Sequence, residues 1–225
     1  MTEISIIVPV YNEESNVKVF LERLIPVINK ITQSYEIIFS LDPSKDNSER
    51  IIEEEIKKND KIKMIVFSRR FGQPISTIAG IENSIGNFCV VIDADLQDPP
   101  ELIEEMYNKI KSNNLNIIFA QRNTSKENFL KKITSKLFYK IFNYLSEVKI
   151  PENTSDFRII DKKVLTELKK FKEQNPFYRG IVKWIGFKTD KILFDRPKRT
   201  KGITGWTPKK MINFSIDGLM SFSNF

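Results

Sequence analysis

Short apolar runs, rich in β-branched residues, alternate with amphipathic segments through the first half of the chain. Ile4–Pro9, Tyr35–Leu41, Ile62–Phe67, Phe88–Asp93 and Asn116–Gln121 read as buried strands. Between them, at about Val17–Lys30, Ser48–Asn59, Ile75–Ser84 and Pro100–Ser112, apolar residues recur at helical spacing. This alternation predicts right-handed βαβ units and a parallel sheet. Asp46, with Glu49 three positions on, reads as a helix N-cap, and so does Asp98, followed by Pro99, Pro100 and Glu101.

The second half has a different pattern. Phe129–Val148 reads as a helix with Ile133, Leu137, Ile141 and Leu145 on one face and Lys131, Lys132, Lys136 and Lys140 beside it. The run Pro151-Glu152-Asn153-Thr154-Ser155 ends it. Lys191–Phe194 is a further strand candidate, and Arg196–Gly205 a basic, glycine-containing loop. A last amphipathic segment, Pro208–Phe225, carries Ile212, Ile216, Leu219 and Met220 at helical spacing. One α/β domain over residues 1–206, followed by an amphipathic helix over 207–225, is the expected organisation.

Composition narrows the chemistry. The 225 residues are enough for one substantial core, and 40% hydrophobic with 29% charged residues is ordinary for a globular chain. The net charge of +7 favours anionic partners: nucleic acid, acidic membrane or phosphorylated small molecules. Histidine is absent, which excludes Ser-His-Asp triads and histidine metal sites. The single cysteine, Cys89, excludes an intramolecular disulfide and suits a reducing compartment. Any metal must then be held by oxygen ligands, pointing to Mg²⁺, Mn²⁺ or Ca²⁺. MTEISIIVPVYNEE does not read as a signal peptide, and no stretch approaches the roughly 18 apolar residues of a membrane-spanning helix. A soluble or peripheral protein is expected.

In open α/β sheets ligands bind beyond the carboxyl ends of the strands. There lie Tyr11, Asn12, Glu13 and Glu14 after the first strand, Asp42, Ser44 and Asp46 after the second, and Asp93, Asp95, Gln97 and Asp98 after the fourth. In extended backbone, residues i and i+2 face the same way, so Asp93 and Asp95 can hold a divalent cation together with diphosphate oxygens. A bare D-x-D more often caps a helix or lines a solvated turn. Its place after a buried strand, with acids after two others, favours the metal. Asp98 is assigned to capping. Neither a dinucleotide glycine fingerprint nor a P-loop is present, so a nucleotide must be held by metal, carboxylates and basic side chains.

The strings SIIVPVYNEE, EIIFSLDPSKDNS, SRRFGQPISTIAGIENSIGNFCVVIDADLQDPPE and SDFRIIDKKVL, in that order, resemble the family 2 glycosyltransferases of GT-A fold. The resemblance is greatest to polyisoprenyl-phosphate glycosyltransferases and dolichyl-phosphate mannose synthases. It implies an inverting transferase using a nucleotide-diphosphate sugar, UDP-linked by preference, with Mg²⁺ or Mn²⁺. Pro9, Tyr11, Glu13, Asp42 and Gln97 match positions that line the nucleotide-sugar, and Asp93 and Asp95 match the metal-binding pair. Asp156 matches the acid near the acceptor and the anomeric carbon, and Arg158 follows it. Arg196 and Arg199, with Lys201, match a late basic loop over phosphate, and Arg179 falls in an acceptor-side segment. Leu41 and Pro43 depart from the family's D-D-G-S, and Gly202-Ile203-Thr204-Gly205-Trp206 departs from its late loop.

The implied acceptor is polyprenyl phosphate or another lipid-linked group, with the hydroxyl of a surface polysaccharide as the alternative. The implied place is the inner face of the membrane, peripheral and cytoplasmic. Relatives often continue into two membrane-spanning helices after a segment like IDGLMSFSNF, so the chain is expected to be either a peripheral member or a fragment. Pro208–Phe225, and less strongly Phe129–Val148, suit contact with anionic lipid, and a homo-oligomer contact is the rival use of the last segment. Trp206 is the better sugar or lipid stacker, and Trp184 core or stacker. A silent nucleotide-sugar binding module is the rival from another class. Nucleic acid is not an expected partner, because no reader motif accompanies the basic charge.

Overall fold

The computed structural model describes residues 1–123, 154–171 and 178–197. The expected segments Phe129–Val148 and Pro208–Phe225, and with them Arg199, Lys201 and Trp206, lie outside the described residues. Strands β1 (Ile4–Val10), β2 (Tyr35–Leu41), β3 (Ile62–Val66), β4 (Phe88–Val91), β5 (Ile117–Arg122), β6 (Thr154–Asp161) and β7 (Thr189–Phe194) form one sheet in the order β3-β2-β1-β4-β6-β5-β7. The first four are parallel, as the βαβ pattern predicts. Strand β6 then runs antiparallel to both β4 and β5, and β7 is parallel to β5.

Helices cover both faces. Helices α1 (Val17–Ile31), α2 (Ser48–Ile56) and α4 (Leu102–Ser112) bury Phe20, Leu24, Ile52, Ile103 and Met106 against Ile4, Ile6, Val8, Ile37 and Phe39. On the other face, α3 (Gln73–Asn83), α5 (Lys162–Leu168) and α6 (Tyr178–Trp184) meet Ile7, Ile38, Cys89, Val91 and Ile160. Successive strand residues point to opposite faces, so near-continuous apolar strands such as β1 supply both layers. Helix α3 packs closely because Gly80 has no side chain: a Cβ there would stand 2.2 Å from Ile7 Cγ2.

At the amino ends of the strands a buried carboxylate joins the layers. Glu36 accepts from Ser5 Oγ (2.6 Å), Lys63 Nζ (2.7 Å) and Ile85 N (2.8 Å). Burial opposes its ionisation, but these donors win and hold its pKa below the usual carboxylate value. Burial pushes the Cys89 thiol up, leaving an inert packing residue.

Candidate active site

The carboxyl ends of β1 to β4 stand side by side, so the loops leaving them share one rim. The loops after β1 and β2 are sewn together. Asn12, in left-handed backbone at φ 56°, accepts from Lys45 N (2.8 Å), and its N–H donates to Ser44 Oγ (3.0 Å). Asp46 Oδ2 accepts from Glu14 N (3.0 Å), and its Oδ1 accepts from Ser48 N and Oγ. The cap position of α2 is Asn47, one residue later than expected, and its own side chain makes no cap bond. Asp46 serves the first turn from outside it and ties the two loops at the same time.

Pro9 lies near the end of β1, and Tyr11 and Glu13 in the loop beyond it. The Arg70 guanidinium lies 3.5 Å from the centre of the Tyr11 ring, and Glu13 accepts from Asn16 Nδ2. Asp42, buried at the end of β2, accepts from Phe71 N (3.0 Å) and Gly72 N (2.8 Å). Those bonds hold the turn into α3, where Gly72 takes φ 92°, a conformation that favours glycine. The turn delivers Gln73, whose Nε2 donates to Asp93 Oδ1 at 2.7 Å.

Strand β4 ends at Val91, two residues short of the expected limit, so Asp93 and Asp95 do not share a face of extended backbone. Asp95 lies in a turn, its Oδ1 accepting from Gln97 N (3.0 Å), and Leu96 takes φ 61°. A turn, with left-handed backbone at a buried leucine, shapes the pair instead.

Asp98 is the larger correction. Helix α4 begins at Leu102 with Glu101 at the cap position, and Asp98 caps nothing. Pro99 and Pro100 lack amide hydrogens, so Glu101 N–H is the one donor left in the first turn for a cap at position 98. Asp98 instead turns inward and is 2% exposed. Its Oδ2 accepts from Ser155 Oγ at 2.8 Å, while Oδ1 has no hydrogen-bond partner among the described residues.

Ser155 belongs to β6, which the apolar pattern missed. The β4–β6 pairing ends at Val91↔Arg158, and beyond it Asp156 lies near enough to Asp93 to repel it. Arg158, expected to touch phosphate, is 3% exposed and faces its own strand. Its Nε donates to Asp156 O (3.2 Å), its Nη2 to Ser155 O (3.1 Å), and it lies 3.6 Å from the Asp156 carboxylate. Arg158 therefore braces Asp156 from within the sheet.

Two further cations meet the acids. Arg122 ends β5, and Arg196 follows β7 and donates to Gln97 Oε1. Burial and repulsion from Asp98, Asp95 and Asp156 push the Asp93 pKa well above the carboxylate range, with Arg122 opposing them. Burial likewise raises Asp98, against Arg122, Ser155 and Arg196. Gln73 and Arg122 are not among the candidates the sequence offers; Arg122 closes β5, where the strand-end rule applies, whereas Gln73 lies at the start of α3. Arg179 falls within α6, and Trp184 is 55% exposed, packed edge-on against Phe171, so it is not core.

Crowded carboxylates with raised pKa values are sites where a divalent cation relieves repulsion. No group of three or more acidic or cysteine side chains among the described residues is arranged to hold a metal by itself. The donor set therefore fits a hard ion held by one or two carboxylates and completed by phosphate oxygens and water, the habit of Mg²⁺ and Mn²⁺. No helix among the described residues is long and apolar enough to cross a membrane.

The sequence profile described as glycosyl transferase family 2 matches residues 5–169. An uncharacterized glycosyltransferase, YkcC of Bacillus subtilis, is 44% identical over 98% of this chain and 68% of its own length. The bactoprenol glucosyl transferase of Shigella phage SfX is 33% identical over 99% of this chain and 73% of its own. Among solved structures, the glucosyl-3-phosphoglycerate synthase of Mycobacterium tuberculosis, in complex with Mn²⁺, uridine-diphosphate-glucose and phosphoglyceric acid, superposes with a TM-score of 0.62. That likeness covers 98% of this chain and 79% of the other at 12% identity, and it shows the GT-A fold.

Proposed function

The chain belongs to glycosyl transferase family 2 and is a glycosyltransferase, and from that premise we propose that it moves a hexose or N-acetylhexosamine from a UDP-sugar to polyprenyl phosphate at the cytoplasmic face of a membrane. The observation that carries this reading is the aspartate pair in the turn beyond β4, Asp93 half-buried and Asp95 buried, faced by Asp156 and overlooked by Arg122 and Arg196. The lipid acceptor is argued from the phage relative, whose name states a bactoprenol substrate. Residues 207–225 would bring the domain to the lipid surface as an amphipathic element.

Asp93 and Asp95 would hold Mg²⁺ or Mn²⁺ with the donor diphosphate, and the bound cation would supply neutralisation of charge on the departing nucleotide. Tyr11, Pro9 and Glu13 line the approach of the base and ribose, and Asp42 keeps that wall in place through the Phe71–Gly72 turn. Arg122, Arg196, Arg199 and Lys201 meet the negative charge that develops as the anomeric carbon–oxygen bond breaks. An acceptor oxygen forms the new bond from the opposite face, inverting the anomeric carbon. A phosphate acceptor is already an anion, so no proton need be removed, and Asp156 orients it. With a saccharide hydroxyl as acceptor, Asp156 would take its proton, and its 20% exposure leaves room for that role.

Product formation from a panel of UDP- and GDP-sugars, with Mn²⁺ or Mg²⁺ and short-chain polyprenyl phosphate in detergent, tests the reading. Metal-dependent transfer that stops with EDTA and with Asp95→Ala is expected. Transfer only to a saccharide would move the acceptor, and turnover unaffected by EDTA would remove the metal.

A further inference from the structure

Most polar groups in the protein interior are paired, and an exception asks for an explanation. Asp98 Oδ1 and Arg122 Nε are two such exceptions, both buried, of opposite charge, and at the same end of the sheet. The remaining oxygen of Asp98 is committed to Ser155 Oγ, whose backbone neighbour is Asp156. Ser155 Oγ also accepts from Phe157 N at 3.3 Å, on the far side of Asp156. From the other direction, Arg158 holds the carbonyls of Ser155 and Asp156. The backbone of Asp156 is thus fixed from two sides, and one of them is Asp98.

We propose that Asp98 is a positioning residue for the transfer reaction: one oxygen fixes the strand that carries Asp156, and its charge holds the Arg122 guanidinium beside the aspartate pair. The role rests on the glycosyltransferase reading above and adds a residue to it. Keeping a carboxylate in the interior with one oxygen unpaired, beside Asp93 and Asp95, is costly. A cap would not need that burial, and Asp98 caps no helix. A carboxylate that steers a cation and a reacting acid does need it, because a low-dielectric surrounding sharpens both interactions. Asp98 touches no reacting atom in this arrangement. It acts through Asp156 and Arg122.

The test uses the full chain with its donor, acceptor and Mn²⁺, and compares Asp98→Asn, Asp98→Ala, Ser155→Ala and the Asp98→Ala/Ser155→Ala double variant. Asp98→Asn keeps volume and an acceptor for Ser155, so the fold persists and the lost charge is read alone. A ten- to hundredfold fall in kcat is expected, the usual consequence of losing a supporting contact at a metal-dependent site. The donor KM and the affinity for UDP with Mn²⁺ should move less than threefold. The double variant should be no slower than Asp98→Ala, because both substitutions cut one link. Wild-type kcat in Asp98→Asn would overturn the proposal, as would a loss of UDP–Mn²⁺ affinity as large as that of Asp93→Asn. Failure of the wild type to transfer sugar to any acceptor would instead overturn the functional reading, and this role with it.

Discussion

The aspartate cluster should cost the protein stability, and replacing Asp93 by asparagine measures how much. Asp93 is partly shielded from water and repelled by Asp98, Asp95 and Asp156, with Arg122 as partial relief. Asparagine keeps a carbonyl oxygen to accept from Gln73 Nε2, whose bond is 2.7 Å long, and removes the charge. Relieving charge repulsion belongs with the substitutions that commonly stabilise by about 1 kcal/mol. For a chain of this size that is a rise of about 2–4 °C in Tm. The folded-state pKa of Asp93 lies above its unfolded value, so the deficit is absent at pH below the ordinary carboxylate range. It grows as pH rises through the folded pKa. Melting curves of wild type and Asp93→Asn without metal should therefore coincide near pH 4 and separate towards neutrality, the variant melting higher. Adding UDP and Mn²⁺ at about a hundredfold over their dissociation constant should stabilise only the wild type, by about 2.7 kcal/mol, and reverse the order. A variant that melts at or below wild type at pH 7.5 without ligand would refute the reasoning, as would a gap that ignores pH.

Glu36→Ala leaves Ser5, Lys63 and the Ile85 amide without their buried acceptor; it should lower stability by roughly 3 kcal/mol without changing donor KM, read by urea unfolding and initial rates. Because the Glu36 pKa is lowered by folding, its contribution is full above the ordinary carboxylate range and is lost as pH falls through the folded value. Gly80→Ala presses a Cβ against Ile7 Cγ2 and Ser40; a loss of about 1–3 kcal/mol is expected in thermal melts, and Ile7→Ala, which removes that Cγ2, should cost less in this background than in wild type. Tyr11→Ala should weaken UDP binding by about 1–3 kcal/mol if the ring stacks on the base, whereas Tyr11→Phe should bind as wild type in calorimetry.

Much of this architecture is legible in the chain because parallel strands buried on both faces leave continuous apolar runs. Strands β1, β2 and β4 follow that rule, β3 at the sheet edge is only partly buried, and the strand ends bring Asp42, Asp93 and Asp95 to one rim. Strand β6 escaped because Asp156, Arg158 and Asp161 interrupt its apolar residues. The sheet tolerates Arg158 there because its own strand's carbonyls and Asp156 satisfy the guanidinium. At Asp98 the local pattern misleads: an aspartate before Pro-Pro-Glu looks like a cap, yet α4 starts only at Leu102 and the Asp98 side chain turns inward. Its partner Ser155 lies 57 residues away, a pairing that no local pattern contains. Gln73 and Arg122 carry no distinctive spacing, and only the sheet order makes them neighbours of the acids.

The most direct test is to incubate the chain with radiolabelled UDP-sugar, polyprenyl phosphate and Mn²⁺, and to follow the label into the organic phase. Label that enters it, is released by mild acid as a sugar phosphodiester would be, and vanishes with Asp95→Ala is the expected result. Label that never leaves the aqueous phase, while nucleotide is released and a saccharide gains the sugar, would contradict transfer to a lipid phosphate.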